Sequence, residues 1–240
     1  MAPRKRKASY SMPRNVRKSK YTSRQRARRT PGKLSLFQDA RKNELKFHDR
    51  NVANGTITSS MSLLLSPNDL IAAGTADDER IGSQVILKSL QIKGVVTRVT
   101  TDTTVAAMNG QYTGEIYVIL DTQCNGAQAA AGDVFASSGL VGRIRLNMDN
   151  RDRFKVIHHS KWSKSASAIV NNAGGDMGVF ESFDIDIYKK MNLPLQYTSG
   201  TTTGGITTLT DNNLLVFVGV DNVTDATTEL DCMSRVRYTD

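Results

Sequence analysis

The sequence predicts an all-β domain preceded by a disordered basic arm, and three observations support this prediction. Basic residues are concentrated in the first 33 positions, which contain no acidic residue. Beyond them, apolar residues recur at every second position and rarely at helical spacing. Stretches rich in Gly, Asn and Ser separate these alternating segments. Pro31-Gly32 indicates a break, so we predict an arm over residues 1–35 and a single domain over residues 36–240.

The formal net charge of +9 is distributed unevenly along the chain. Thirteen of the 32 Lys and Arg residues lie before residue 34, so 19 basic residues remain beside the 23 acidic residues that follow. The chain therefore combines an arm of charge +13 with a domain of charge −4. Such asymmetry favours a polyanionic partner, and nucleic acid before a membrane.

The arm has almost no apolar periodicity and cannot bury enough surface to offset its ordering entropy, so we expect it to be disordered when free. Its basic side chains would neutralise phosphates and release counterions, which makes binding dependent on salt and largely independent of sequence. The predicted nucleic-acid-binding residues are Arg4, Lys5, Arg6, Lys7, Arg14, Arg17, Lys18, Lys20, Arg24, Arg26, Arg28, Arg29 and Lys33. The first four of them also match a basic nuclear localisation run, which predicts a nuclear import receptor as a partner.

About eight segments of the domain have the periodicity of strands. Residues 115–122 are the clearest case, because Ile116, Val118 and Leu120 face one way and predict a single buried face. Residues 214–220 are apolar on both faces, as in a central strand covered on both sides. They are also too few to cross a bilayer as a helix, so no membrane insertion is predicted. The other predicted strands are 43–50, 56–65, 85–99, 153–163, 182–187 and 229–238.

Several of these segments carry further expectations. Residues 43–50 would open the domain through Leu45 and Phe47, and Gly94 is expected to mark a bulge or bend in 85–99. A short helix is expected at 127–131 or at 69–78. Residues 56–65 would place four apolar side chains on one side, namely Ile57, Met61, Leu63 and Leu65.

Eight strands with long connections at 66–84, 100–114 and 123–152 fit an eight-stranded antiparallel jelly-roll sandwich. That fold arranges eight strands in two sheets and tolerates long loops at the ends of its strands. The sequence therefore predicts a jelly roll with a disordered basic arm.

No catalytic chemistry is evident in the sequence, so an enzyme is not predicted. Nucleotide-binding and nucleophile-elbow motifs are absent. His158 and His159 are adjacent, which places them on opposite faces of a strand and prevents them from sharing a metal ion. Cys124 and Cys232 lack metal-ligand spacing, and Cys232 is predicted to be a core residue.

No cofactor or metal site is predicted either. A structural calcium ion between copies of the chain would find oxygen ligands in two places, at residues 77–79 and at Asp184 with Asp186. A solvated loop and a solvated strand face are the default interpretations of these acidic groups.

The stretch ERIGSQVILKSLQIKG at residues 79–94 resembles the early jelly-roll region of capsid proteins from circular single-stranded DNA viruses. In those proteins an Arg-Ile-Gly turn leads into a strand of Leu-Lys-Ser-Leu type. The order of a basic arm followed by about eight strands is also similar, as it is in circovirus-like proteins and in the coats of satellite tobacco necrosis virus and geminiviruses. The resemblance implies self-assembly into a small icosahedral shell of T=1 type around a circular single-stranded genome. It also implies a location in the virion, and in the host nucleus during infection.

Two other hypotheses are consistent with parts of the sequence. A cellular nucleic-acid-binding or ribosomal β-protein with a basic extension would explain the arm equally well, although such proteins usually bind nucleic acid through the fold as well. A cupin-like enzyme would need a clustered His/Glu metal set, which His48, His158 and His159 do not provide.

Overall fold

The computed structural model describes residues 44–100, 111–124, 126–137, 141–165, 179–221 and 227–240. The strands are β1 (Lys46–Ile57), β2 (Ser62–Leu65), β3 (Gln84–Thr100), β4 (Gln111–Asp121), β5 (Phe154–Ser165), β6 (Val179–Tyr197), β7 (Leu209–Asp211), β8 (Asn213–Val220) and β9 (Thr227–Thr239). A one-turn helix, α1 (Ala131–Val134), and a 3-10 turn at Met148–Asn150 lie between β4 and β5.

These strands form two antiparallel sheets. The first sheet has the order β1-β9-β3-β6-β7, and the second has the order β2-β8-β4-β5. If the three-residue β7 is set aside, four strands in each sheet follow the interleaved order of a double Greek key, which defines a jelly roll. The predicted eight-stranded jelly roll is thus confirmed, with β7 as an addition at one edge. The predicted arm lies outside the described residues.

The main core lies between the two sheets. Leu90, Ile92 and Val96 of β3 and Val216 and Val218 of β8 are fully buried there. Burial of one such side chain contributes about 1.5–3 kcal/mol, so this layer is a major source of stability. All eight residues of β8 are buried, which confirms that the strand is covered on both sides.

A second apolar cluster covers the outer face of the second sheet. On β4, Tyr117 and Ile119 belong to this cluster, while their neighbours along the strand face the main core. The Phe135 ring lies 5.2 Å from that of Tyr117 and 5.4 Å from that of Phe217. The prediction of a single buried face on β4 is therefore wrong. The long connection between β4 and β5 returns across the sheet and buries the other face as well.

Residues 56–65 do not form one strand. β1 ends at Ile57, a turn follows, and β2 begins at Ser62. Ile57 and Leu65 consequently pack in the main core, whereas Met61 and Leu63 pack against the second cluster. The turn takes the chain from the first sheet to the second. Apolar residues that alternate regularly in the sequence therefore belong to two different clusters.

The first predicted strand is present, but Leu45 and Phe47 do not point into the core. Leu45 and Phe47 are 53% and 40% exposed. The buried position between them belongs to Lys46, whose ammonium group lies 2.9 Å from the Asp240 carboxylate and donates to the Glu79 carbonyl at 2.8 Å. The apolar pattern had placed Leu45 and Phe47 inward and Lys46 outward. In the structure the paired Lys46 cation is the buried group and the two apolar side chains are exposed.

Gly94 is not a bulge. It stays in register with Ile185 of β6 and Cys232 of β9, and the irregularity of β3 lies between Leu87 and Ser89 instead. A Cβ atom added to Gly94 would lie 2.4 Å from the Cβ of Cys232. The glycine is therefore needed for the close approach of two strands.

A short helix was expected at one of two segments, and the structure has it next to only one of them. Residues 69–78 form turns and contain no helix. The helix α1 begins at Ala131, the last residue of the other expected segment. The Arg80 side chain and backbone hydrogen bonds to Thr202 and Gly204 hold residues 69–78 in place.

Candidate assembly surfaces and nucleic-acid interface

The predicted nucleic-acid-binding residues all lie outside the described residues. This applies to every basic residue from Arg4 to Lys33, to the predicted localisation run and to the predicted boundary at residue 35. Their roles remain predictions. The structure describes the domain that would carry the arm.

Arg80 is the most deeply buried charged residue of the motif that carries the viral resemblance. Only 2% of its surface is exposed, and its guanidinium group lies 4.3 Å from the centre of the Tyr197 ring. The guanidinium donates hydrogen bonds to backbone carbonyls of Ile71 at 3.3 Å, Thr201 at 2.9 Å, Thr203 at 3.4 Å and Gly82. Five donors in a fixed planar arrangement suit this set of acceptors.

These hydrogen bonds join two connections, residues 66–83 between β2 and β3 and residues 198–208 between β6 and β7. The backbone N–H of Leu70 donates to the Gly204 carbonyl at 2.9 Å, and that of Ala73 donates to the Thr202 carbonyl at 2.8 Å. A Cβ atom on Gly204 would lie 2.0 Å from the Ile71 carbonyl oxygen, so the connections approach too closely for any other residue. The two connections are therefore fixed to each other by hydrogen bonds and by close backbone contact.

Glu115 forms a buried polar group on the outer face of the second sheet. The Tyr117 hydroxyl donates to its carboxylate at 3.2 Å, and the Lys161 ammonium group lies 3.7 Å away. The His159 ring stacks on Tyr117 at 4.1 Å, and its Nε2 lies 3.6 Å from the Glu115 carboxylate. Burial and the neighbouring carboxylate raise the pKa of Tyr117 to about 12, so the phenol remains a donor at neutral pH.

The two adjacent histidines occupy opposite faces, as predicted. His159 lies on the outer face against Tyr117. His158 faces the gap between the sheets, where it lines a small cavity with Ile116 and Phe183. Burial, followed by the positive charge of Lys189, lowers the pKa of His158, so its imidazole is neutral near pH 7.

The acidic groups considered for calcium have other partners or face solvent. The Glu79 carboxylate accepts a hydrogen bond from the backbone N–H of Ala76 at 2.9 Å. Asp184 and Asp186 are exposed on the first sheet, and Asp186 lies 3.5 Å from the Lys93 ammonium group. Within the described ranges, no group of three or more His, Cys, Asp or Glu side chains could hold a metal ion. Calcium between copies of the chain remains a prediction that one copy does not test.

Both cysteines are buried. Burial is the main cause that raises the pKa of Cys124 to about 12 and that of Cys232 to about 11. Cys232 belongs to the main core, which confirms its predicted position. Neither thiol is ionised at neutral pH.

Several large side chains on the outer face of the first sheet are exposed. Phe47, Val95, Tyr188 and Met233 are 40%, 38%, 53% and 46% exposed. The Arg235 guanidinium lies 5.0 Å from the centre of the Phe47 ring and forms two hydrogen bonds of 2.7 Å with the Asp49 carboxylate. Single exposed apolar residues are normal on a protein surface, so these side chains do not by themselves define an interaction site.

The buried basic residues described above were not predicted from the sequence. Arg80 lies in the motif that was recognised, but an arginine in a turn-rich stretch gives no sign that it will be buried. Lys46 lies between two apolar residues that were expected to point inward. The burial of Lys46 could have been predicted only if its position on the inward face of the strand had been recognised.

The fold defines a class of protein. An eight-stranded jelly roll is the architecture of viral capsid, lectin and cupin domains. Residues 2–240 match the model of the Geminivirus coat protein/nuclear export factor BR1 family. Because the match covers nearly the whole chain, the protein belongs to this family. The resemblance to capsid proteins of circular single-stranded DNA viruses is thereby confirmed.

The family assigns a structural role, that of a viral coat protein located in the virion. No curated protein matches the chain significantly. Among the described residues, no helix has the length and apolar character needed to span a membrane.

Proposed function

We propose that this coat protein assembles into a small icosahedral shell of T=1 type and packages a single-stranded DNA genome through its basic arm. The observation that carries the proposal is the division of charge between an arm of +13 and a domain of −4. The jelly-roll fold and membership of a coat protein family support the assembly part.

In this mechanism the domain builds the wall and the arm binds the genome. An arm of about 35 residues has a root-mean-square span of roughly 30 Å and a fully extended reach of roughly 110 Å. It can therefore reach packaged nucleic acid while the domain stays fixed. Its flexible basic side chains meet backbone phosphates and not base edges, so packaging is largely independent of sequence.

Electron microscopy of the purified full-length protein tests assembly. We expect closed particles of uniform diameter when salt and pH are varied. A protein that stays monomeric under every condition would contradict the proposal.

A salt titration tests the role of the arm. The affinity of the unassembled protein for a single-stranded oligonucleotide should fall steeply as salt rises, because each neutralised phosphate releases a counterion. An affinity that does not change with salt would refute phosphate neutralisation by the arm.

Nuclear import is the third part of the proposal, and it rests on the basic run Arg4, Lys5, Arg6 and Lys7. The family name includes a nuclear export factor, which agrees with a nuclear stage. Alanine at all four positions should move a fluorescent fusion of the full chain out of the nucleus. Alanine at Arg24, Arg26, Arg28 and Arg29 is the matched control, because it removes the same charge and should leave the protein nuclear.

A further inference from the structure

The long strand β6 has one edge that is almost free. Its other edge pairs with β3 from Val179 to Gln196. Within the described residues, the free edge is paired only with the three-residue β7, at Gln196 and Tyr197. Along most of this 19-residue strand, every second residue therefore directs its backbone N–H and C=O groups to an edge that has no strand partner in the described part of the chain.

Free strand edges are a liability, and folded proteins usually protect them with bulges, short strands or charges. The other edge strands of this fold show such protection. The pairing of β1 is irregular between Val52 and Gly55, and that of β5 is irregular opposite Val118 and Ile119. β2 has only four residues. Charges on β6 could also protect its edge, but between Val179 and Lys190 its pairing with β3 has no irregularity, which makes it the longest regular edge among the described strands.

The sequence of this edge is complementary to itself. On the outer face, Asp186, Tyr188 and Lys190 are all exposed. If two copies of β6 are placed antiparallel with Tyr188 opposite Tyr188, each Asp186 lies opposite Lys190 of the second copy. Directly opposed strand residues lie about 4.5–5.5 Å apart, so opposite charges at these positions attract.

On the inward face, Ile187 would lie opposite Lys189, and the apolar pairs lie further from the axis, at and beyond the irregularity of β6 between Lys190 and Leu193. Ile185 would lie opposite Met191 of the second copy, and Phe183 opposite Leu193. All four are apolar residues of the main core or of the layer packed against it. The cavity that Phe183 and Ile187 line lies beside this edge and would be closed by the second copy.

Registers centred on the neighbouring charged residues are less favourable, and the nearest competitor is one centred on Ile187, which places Asp184 opposite Lys190. A register centred on Asp186 places two carboxylates opposite each other, and one centred on Lys190 places two ammonium groups opposite each other. A shift of one residue in one strand would pair inward-facing positions with outward-facing ones.

We propose that the free edge of β6 pairs with β6 of a second copy about a two-fold axis at Tyr188, joining two first sheets into one continuous sheet. The inference rests on the proposed shell assembly and identifies one of its contacts. A two-fold contact is self-complementary, which is the property that this edge has. Its main-chain hydrogen bonds would provide strand addition, and Asp186 with Lys190 would fix the register.

Disulfide trapping tests the contact. With Tyr188→Cys, two new thiols would face each other at a Cα separation that a disulfide allows, and Cys124 and Cys232 are buried. We expect oxidised particles of this variant to run as covalent dimers in a denaturing gel. Met233→Cys is the matched control, because Met233 is 46% exposed on the same sheet but lies on the inner strand β9, and it should remain monomeric.

Charge exchange tests the register. Lys190→Asp or Asp186→Lys alone would oppose like charges at two positions and weaken the pairing by about tenfold. The double variant restores both pairs, and so does a mixture of the two single variants. Asp186 also pairs with Lys93 within its own copy, so Lys190→Asp is the cleaner single change.

The results of the Tyr188→Cys experiment distinguish failure of the β6 edge contact from failure of the proposed shell assembly. If the Tyr188→Cys variant forms particles but no covalent dimer, the edge contact is overturned and the shell proposal is left standing. Covalent dimers without any particle would support the edge contact and contradict the shell. An introduced thiol that resists both oxidation and alkylation would show that another segment covers the edge, which would also overturn the inference.

Discussion

Removal of the buried guanidinium group of Arg80 should destabilise the domain severely. The group donates to four backbone carbonyls and stacks on Tyr197, and the residue is only 2% exposed. Arg80→Ala leaves several carbonyls without donors and a void beside an aromatic ring. A hydrogen bond to a charged group contributes about 1.5–3 kcal/mol, and an unsatisfied buried acceptor costs about 1–3 kcal/mol. Since the remaining loops can relax, we expect a total loss of about 3–5 kcal/mol.

Urea unfolding of the full chain measures this loss. The single tryptophan, Trp162, is buried and stacks on Phe183 at 5.1 Å, so its fluorescence reports on the core. Arg235→Ala is the matched control, because it removes an exposed arginine that pairs with Asp49, a kind of ion pair that contributes about 0–1 kcal/mol. If Arg80→Ala costs no more than this control, the account of the two joined loops is wrong.

Two further predictions concern stability. Gly94→Ala should lower the free energy of unfolding by about 1–3 kcal/mol or more in urea titrations, since the new Cβ would lie 2.4 Å from that of Cys232. Gly132→Ala, which meets no atom within 4 Å and lies in α1, should not lower it, and an equal loss in both variants would contradict the strand-approach argument. Burial lowers the pKa of both His48 and His158 in the folded chain. The unfolded chain then binds more protons, so the free energy of unfolding should fall as pH drops below about 6.5. Replacing both histidines with Gln should flatten that slope, and an unchanged slope would refute their role.

The alternation of apolar residues predicted most of the strands because a two-sheet sandwich buries one face of each strand. Residues 229–238 illustrate this well, since Leu230, Cys232, Val236 and Tyr238 are all buried. The fully apolar segment 214–220 correctly indicated a strand covered on both sides. Local periodicity is sufficient here because it follows directly from the geometry of the strand.

Features that depend on distant segments could not be predicted. The outer face of β4 is buried by a connection that follows it, and no local pattern shows where such a connection will pack. The inward position of Lys46 depends on Asp240, at the far end of the described chain. The free edge of β6 is a property of strand order, which becomes visible only when both sheets are assembled.

The nucleic-acid content of particles that lack the arm tests the central claim most directly. Particles of the full-length protein and of a variant lacking residues 1–35 would be purified by sedimentation, and their ultraviolet absorbance by nucleic acid and by protein compared. We predict that the shortened protein still forms particles and that their absorbance ratio falls to that of protein alone. Shortened particles that retain the full nucleic-acid content, or a shortened protein that fails to assemble although its domain is folded, would contradict the division of roles between arm and domain.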